Sequence, residues 1–323
     1  MGRGLILGAQ TRSWFEDVQY CHSLHLVYKQ AAMIDLHSHI LPGIDDGAAD
    51  LAVSLAMARA FVADGVTTVA CTPHILPGLY HNSGTQIRRA VLELQAAIDS
   101  AGILLRLVTG ADNHVTPNFV AGLRDGTLLS LADSRYVLVE PPHHVAPARL
   151  DDLFFGLMVA GYVPILTHPE RLTWIKSQYA TIIRLVQAGV WIQITAGSLA
   201  GAFGRQPLYW AEKMLQEGHV HILATDAHDC DRRPPELERG RVRAEKLVGA
   251  NEAEHLVLTR PQGIIANELP SRLPLPLAGT VLTGERDDSV ESAPDTDRNA
   301  VSGEGRVADR GGFAGRLRRF LQR

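Results

Sequence analysis

The sequence predicts an α/β fold, a distorted TIM-like barrel of seven strands, and three observations carry that prediction. Short runs rich in Val, Ile and Leu alternate about seven times with stretches of helical period, the pattern of parallel strands joined by helices. Most of the helical stretches are followed by a glycine, the residue best suited to a helix C-terminus. His, Asp and Glu recur at the ends of the strand runs. The first observation alone also fits a doubly wound sheet. The third favours a barrel, because there all strand ends converge on one face.

Taken in order, residues 1–32 show no clean period, running through Gln10, Thr11, Arg12, Ser13 and His22, and are read as an N-terminal extension. The folded chain is expected to start at Met33. A strand at Ile34–His37 ends in His37 and His39, and the helix Ala49–Asp64 is closed by Gly65. The strand Thr67–Thr72 leads to His74; the helix Gln86–Ala101 and Gly102 follow. The strand Leu105–Thr109 leads to Asp112, and Tyr136–Glu140 ends in Glu140 itself. The helix Ala148–Ala160 with Gly161 precedes the strand Val163–Thr167 and His168. The helix Tyr179–Ala188 with Gly189 precedes the strand Val190–Thr195, and the helix Pro207–Glu217 with Gly218 precedes Val220–Thr225, after which stand Asp226 and His228. A last helix is expected at Pro235–Val248.

From Leu269 the composition changes. The run LPSRLPLPLAGTVLT gives way to a polar, Gly-rich stretch without aromatics. Such a segment buries too little apolar surface to offset its ordering entropy, so 269–323 is read as a disordered tail and 33–268 as the folded domain. At its end Phe313, Leu317, Phe320 and Leu321 lie among Arg316, Arg318, Arg319 and Arg323. That basic amphipathic pattern is read as a solvated tail end, with a membrane or partner contact as the other reading.

Hydrophobic residues make up 46% of the 323 and charged residues 20%, as in an ordinary globular enzyme with a sizeable core. A formal net charge of -4 argues against a nucleic-acid binder, which normally carries a basic face. Three widely spaced cysteines, Cys21, Cys71 and Cys230, build no disulfide framework and point to the cytoplasm. No apolar run reaches the roughly 20 residues of a membrane span, and the N-terminus lacks the layout of a secretory signal.

Each polar piece is weak alone. His-x-His places two imidazoles on one face of a strand for structural reasons as often as for metal. The weight comes from the same chemistry recurring at strand after strand. Mixed imidazole and carboxylate suit zinc, iron or manganese, whereas an all-oxygen set would favour magnesium or calcium.

The segments running from Ile34 to Gly47 (IDLHSHILPGIDDG), Thr72-Pro73-His74, His168-Pro169-Glu170-Arg171, Gln193 to Gln206 (QITAGSLAGAFGRQ) and Thr225-Asp226-Ala227-His228 resemble the polymerase and histidinol phosphatase (PHP) superfamily. Within it they are most similar to the bacterial manganese-dependent protein-tyrosine phosphatases of capsule and exopolysaccharide operons. The likeness covers about Met33 to Glu268 and leaves the two tails outside. It implies a (β/α)7 barrel of the PHP type and a centre of three divalent ions, manganese first, with zinc, iron or magnesium as alternatives. By that resemblance His37, His39 and Asp226 hold one ion, Glu140 and His168 a second, Asp112 bridges these two, and Asp46, His74 and His228 hold a third. Arg171 and Arg233 match arginines that clamp phosphate oxygens. The implied substrate is a phosphotyrosine protein, an autophosphorylated bacterial tyrosine kinase. Two departures stand out. The family has Glu where this chain has Asp112, and Glu140 is followed by Pro141-Pro142-His143-His144, whose histidines are read as a polar loop.

The charge count is consistent with phosphate chemistry: four carboxylates facing three divalent ions leave positive charge for a phosphate dianion to neutralise. Divalent ions lower the pKa of bound water, so hydrolysis needs no covalent phosphoenzyme. The cysteine-dependent alternative requires Cys, five residues, then Arg. Six positions beyond Cys21, Cys71 and Cys230 stand Val27, Pro77 and Glu236, which excludes it. Two further readings remain open, a PHP phosphoesterase acting on a small metabolite such as histidinol phosphate, and a non-catalytic metal-binding regulatory protein.

Overall fold

The structure, a computed structural model, describes residues 32–279. Residues 1–31 and 280–323, which include nearly all of the expected extension, most of the expected tail and its basic amphipathic end, lie outside the described residues. Among the described residues nine strands are all paired in parallel: β1 (Met33–Ser38), β2 (Val66–Cys71), β3 (His74–Ile75), β4 (Arg106–Thr109), β5 (Asp112–His114), β6 (Tyr136–Glu140), β7 (Val163–Thr167), β8 (Trp191–Thr195) and β9 (Ile222–Ala224). They run in the orders β1-β2-β4 and β3-β5-β6-β7-β8-β9.

The expected strands at Thr67–Thr72 and Leu105–Thr109 are found as β2 and β4, and each is continued by a short strand, β3 or β5, that the sequence did not predict. Thr72-Pro73 separates β2 from β3, where proline lacks a ladder donor, and Gly110-Ala111 separates β4 from β5. Asp112 N still donates to Pro73 O at 3.2 Å, so the halves run on as single staves. Past the end of β9, Ser38 pairs with Ala227, Asp226 N donates to His37 O at 2.9 Å and His39 N donates to Ala227 O at 2.9 Å. Seven staves thus close into a ring.

The helices are α1 (Leu51–Ala63), α2 (Gly84–Ser100), α3 (Phe119–Asp125), α4 (Leu150–Val159), α5 (Ile175–Gln187), α6 (Ala196–Leu199), α7 (Arg205–Gln216), α8 (Leu237–Val248), α9 (Ala250–Glu254) and α10 (Arg260–Ile265), with one π turn at His255–Thr259 before the last. Asp50 caps α1 by accepting from Val53 N at 2.9 Å, and Ser83 with Gln86 forms a capping box on α2. Gly65, at φ +89, ends α1 in the left-handed conformation.

The strands read as continuous apolar runs because both faces are buried. One face, including Val69, Val137, Leu166, Ile192 and Leu223, packs on the helices through Phe61, Ile87, Phe154 and Met214. The other fills the barrel with Ile34, Leu36, Ala70, Val108, Tyr136, Leu138, Ile165, Trp191 and Ile222. Ile264 of α10 and Leu273 join that inner cluster. Residues 269–279, assigned by composition to the tail, therefore have packing partners in the barrel.

Candidate metal centre

A register shift between Asp35 and Ser38 puts an extra residue into β1. Side chains alternate along a strand, so such a bulge exchanges the faces. Ile34 and Leu36 fill the barrel below it, while His37 and His39 turn inward above it. Two other centre residues carry unusual backbones. His168 (φ 32) and Asp226 (φ 52) are two of five non-glycine residues with positive φ among those described, and both sit where a strand ends. Strained backbone of this kind gathers at functional sites.

These elements bring all nine expected His, Asp and Glu residues together. His37 Nε2 stands 3.3 Å from His39 Nε2, 3.5 Å from Asp226 Oδ1 and 3.6 Å from Asp112 Oδ2. His39 Nε2 lies 3.2 Å from Asp226 Oδ1. His74 points Nε2 at Asp46 Oδ1 (3.5 Å), and its Nδ1 faces Asp112 Oδ2 (3.4 Å) and Glu140 Oε2 (3.3 Å). His228 Nε2 is 3.5 Å from the same Asp46 oxygen, and His168 Nε2 is 3.5 Å from Glu140 Oε1. Arg171 and Arg233 both donate to Asp226 Oδ2, and Arg233 also reaches His228 Nε2 at 2.8 Å.

The surroundings hold the rings in place. Gln193 Oε1 contacts His37 Nδ1 at 2.9 Å, Asp45 Oδ2 contacts His39 Nδ1 at 2.7 Å, and the Asp226 carbonyl contacts His228 Nδ1 at 3.0 Å. Each contact leaves the other ring nitrogen turned to the centre, the usual way a protein orients imidazole ligands. Glu170, fully buried, accepts from Thr195 N and the Ser198 hydroxyl, which seats the turn carrying Arg171. The Arg171 guanidinium lies 4.7 Å above the Phe203 ring. The segment from Gln193 to Gln206 thus supplies four supports of the centre.

Electrostatics confirm how much charge is packed here. Burial alone would lower His39, but Asp45 and Asp226 hold it up at about 9. His74 is likewise held up at about 11, against burial, by Asp112 and Glu140. Burial would raise Asp226, yet Arg233, His37 and Arg171 keep it well below the carboxylate range. Burial and the nearby Glu140 push Asp112 up. In the metal-free protein, protons and guanidinium groups balance the carboxylates.

The donor set fits divalent ions. Both oxygens of Asp112 are buried without a hydrogen bond, as is His168 Nδ1. The nearest polar neighbours of the Asp112 carboxylate are imidazole nitrogens, His74 Nδ1 at 3.4 Å and His37 Nε2 at 3.6 Å, and a carboxylate buried on those terms is a costly arrangement that a bound cation would relieve. Asp112 is the first residue of β5. Groups of three or four ligand atoms lie mutually within 4.8 Å, among them His39, Asp46, His74 and His228, and separately His37, His168 and Asp226.

Sequence reasoning missed several contributors. Asp45 lay in the quoted Asp45-Asp46-Gly47 run, but nothing showed which aspartate would point where. His114 was hidden because β5 is only three residues long. His143 does lie in a loop, as expected, but its Nε2 turns back to within 3.3 Å of Glu140 Oε1, whereas His144 is exposed.

Residues 33–266 match a family described as capsular polysaccharide synthesis, CpsB/CapC. The chain is 34% identical over 242 residues to the tyrosine-protein phosphatase YwqE of Bacillus subtilis, covering 75% of this chain and 95% of YwqE. It is 26% identical over 247 residues to the tyrosine-protein phosphatase CpsB of Streptococcus pneumoniae, covering 73% of this chain and all of CpsB. A chain from the crystal structures of YwqE and CpsB, described as unique metal-dependent tyrosine phosphatases, superposes with a TM-score of 0.71 at 34% identity, covering 73% of this chain and 96% of that one.

Proposed function

The chain belongs to the CpsB/CapC family of capsular polysaccharide synthesis, and from that premise we propose that it is a metal-dependent protein-tyrosine phosphatase whose substrate is an autophosphorylated bacterial tyrosine kinase. The observation that carries the reading is the convergence of nine ligand-type side chains around the buried carboxylate of Asp112, whose oxygens make no hydrogen bond. Manganese is the proposed metal and the cytoplasm the proposed location; among the described residues no helix is long and apolar enough to cross a membrane. Residues 33–268 are the proposed phosphatase domain.

In this reading His37, His39 and Asp226 would hold one ion, Glu140 and His168 a second, with Asp112 serving both, and Asp46, His74 and His228 would hold a third. When bound, the ions supply Lewis acidity and a water of lowered pKa. The chain's own residues do the rest. Arg171, at the end of the turn after β7, and Arg233, in the loop after His228, converge on Asp226 Oδ2, and their other N–H groups would take phosphate oxygens, which guanidinium binds in bidentate fashion. Phe203 supports Arg171 from beneath and supplies an aromatic surface beside the phosphate position. A cavity of about 260 Å³ lined by Phe203, Thr225 and Arg233 lies alongside and leaves room for a substrate larger than phosphate.

The test is activity on a phosphotyrosine peptide and on histidinol phosphate, with chelator and then with added manganese. Loss in chelator, recovery with manganese and preference for the peptide are expected. Full activity in chelator from a metal-free protein would refute the metal reading; preference for histidinol phosphate would refute the substrate.

A further inference from the structure

We propose that His114 is a divalent-ion ligand, acting through Nε2 beside Glu140 and compensating for the short aspartate at position 112. The inference rests on the metal-centre reading above and adds to it a residue that the resemblance does not supply.

The fold places His114 deliberately. In the parallel register of β5 and β6, His114 lies opposite Glu140, and Val115 N donates to Glu140 O at 3.0 Å. Asn113 between the two polar residues is pinned on the other face: its amide donates to the carbonyls of Ala111, Leu129 and Leu138 at 2.9–3.1 Å. Alternation along the strand then turns both Asp112 and His114 into the barrel.

Glu140 is met by four imidazoles. His114 Nε2 and His74 Nδ1 face Oε2, while His143 Nε2 and His168 Nε2 face Oε1. One ligand atom each from His74, His114 and Glu140 lie mutually within 4.8 Å, close to the separation of atoms that share one ion at ordinary metal–nitrogen and metal–oxygen distances. Asp112 Oδ2, which makes no hydrogen bond, borders the same space, 3.4 Å from His74 Nδ1. Aspartate is one methylene shorter than the glutamate expected at its place. A strand neighbour two residues on, with a longer reach, supplies the donor atom that the shorter carboxylate withholds.

The competing role for His114 is a hydrogen bond that merely holds Glu140. Glutamine separates the two, since its amide nitrogen falls near imidazole Nε2 and keeps an N–H for Glu140 while removing the imidazole lone pair. The experiment uses the full chain with His114→Ala, His114→Gln and, as control, the exposed His144→Ala. Each is loaded with manganese, dialysed and counted by mass spectrometry of the metal, and its affinity is measured calorimetrically. Both His114 variants should lose one ion, or weaken one site at least a hundredfold, and His144→Ala should match the wild type. Wild-type metal count and affinity in His114→Gln would overturn the assignment, reducing His114 to a positioning hydrogen bond. If His114→Ala does not fold, His114→Gln alone decides. A wild-type chain that binds no manganese would overturn the metal-centre reading itself, so the two failures are distinguishable.

Discussion

His39 and His74 are held as imidazolium by the carboxylates around them, at about 9 and about 11 respectively. An ion can bind a ring nitrogen only after its proton leaves. Raised values mean that at neutral pH both protons are present, so metal binding should release roughly two protons and apparent affinity should rise as pH climbs toward 9. Calorimetry in two buffers of different ionisation enthalpy measures the release, and an affinity unchanged between pH 6 and 8.5 would contradict it. The arginines behave differently, since guanidinium is no metal ligand. Arg171→Ala and Arg233→Ala should keep the metal count while lowering turnover of a phosphotyrosine peptide roughly a hundredfold, the usual loss on removing one donor to developing charge. Loss of metal in either variant would show that its contact with Asp226 matters more than phosphate. Most of this centre could be read from sequence because its members end strands, where His-x-His and Asp-x-His are visible. His114, Asp45 and Gln193 could not, because their roles depend on neighbours 26, 6 and 156 positions away.

Strands and long helices were legible for a physical reason: doubly buried strands are continuous apolar runs, and amphipathic helices of 10 or more residues show their period. The elements that escaped are short, such as β3 with two residues and α6 with four, and they exist only by tertiary contact. The loop between β1 and α1 shows how such contact shapes the centre. Ala48 N donates to His39 O at 3.0 Å and Gly43 N donates to Ala48 O at 2.7 Å, folding the loop back over His39. A Cβ added at Gly47 would lie 2.1 Å from His39 O and 2.4 Å from His39 Cβ. Neither can move, because His39 is held by β1 and by Ala227. Gly47→Ala should therefore push the loop outward, parting Asp45 from His39 and Asp46 from His74 and His228. Metal titration should show at least a tenfold weaker site, in line with losses from disturbed ligand supports, while circular dichroism stays that of the wild type. Unchanged affinity would mean that the loop relaxes without moving its aspartates.

At the scale of the whole molecule, the two ends of the barrel do different work. Ligands gather where the strands finish, and the opposite end is closed by α10 and residues 269–279. The proline-rich run there reads as tail in sequence because it forms no helix or strand beyond the turn Pro270–Arg272. Its contacts are single and scattered, which no composition reveals. Pro274 O accepts from Arg260 Nε at 2.7 Å, Leu273 packs against Gly263, and Gly279 N donates to Gln216 O at 2.8 Å. Arg260 is fully buried and paired with Glu252. A chain ending at Glu268 would leave one of its donors without an acceptor, costing about 1–3 kcal/mol, and would uncover the apolar contact of Leu273, about 1–2 kcal/mol more. For a domain of this size such a loss lowers the melting temperature by roughly 5–15 °C. A chain ending at Gly279 keeps every one of these contacts and should melt higher than the chain ending at Glu268 by that amount. Because the strap lies away from the strand ends, metal count and turnover at 25 °C should be equal in both truncated forms. Differential scanning calorimetry of the two forms checks the prediction, and equal melting temperatures would show that the strap contributes no stability.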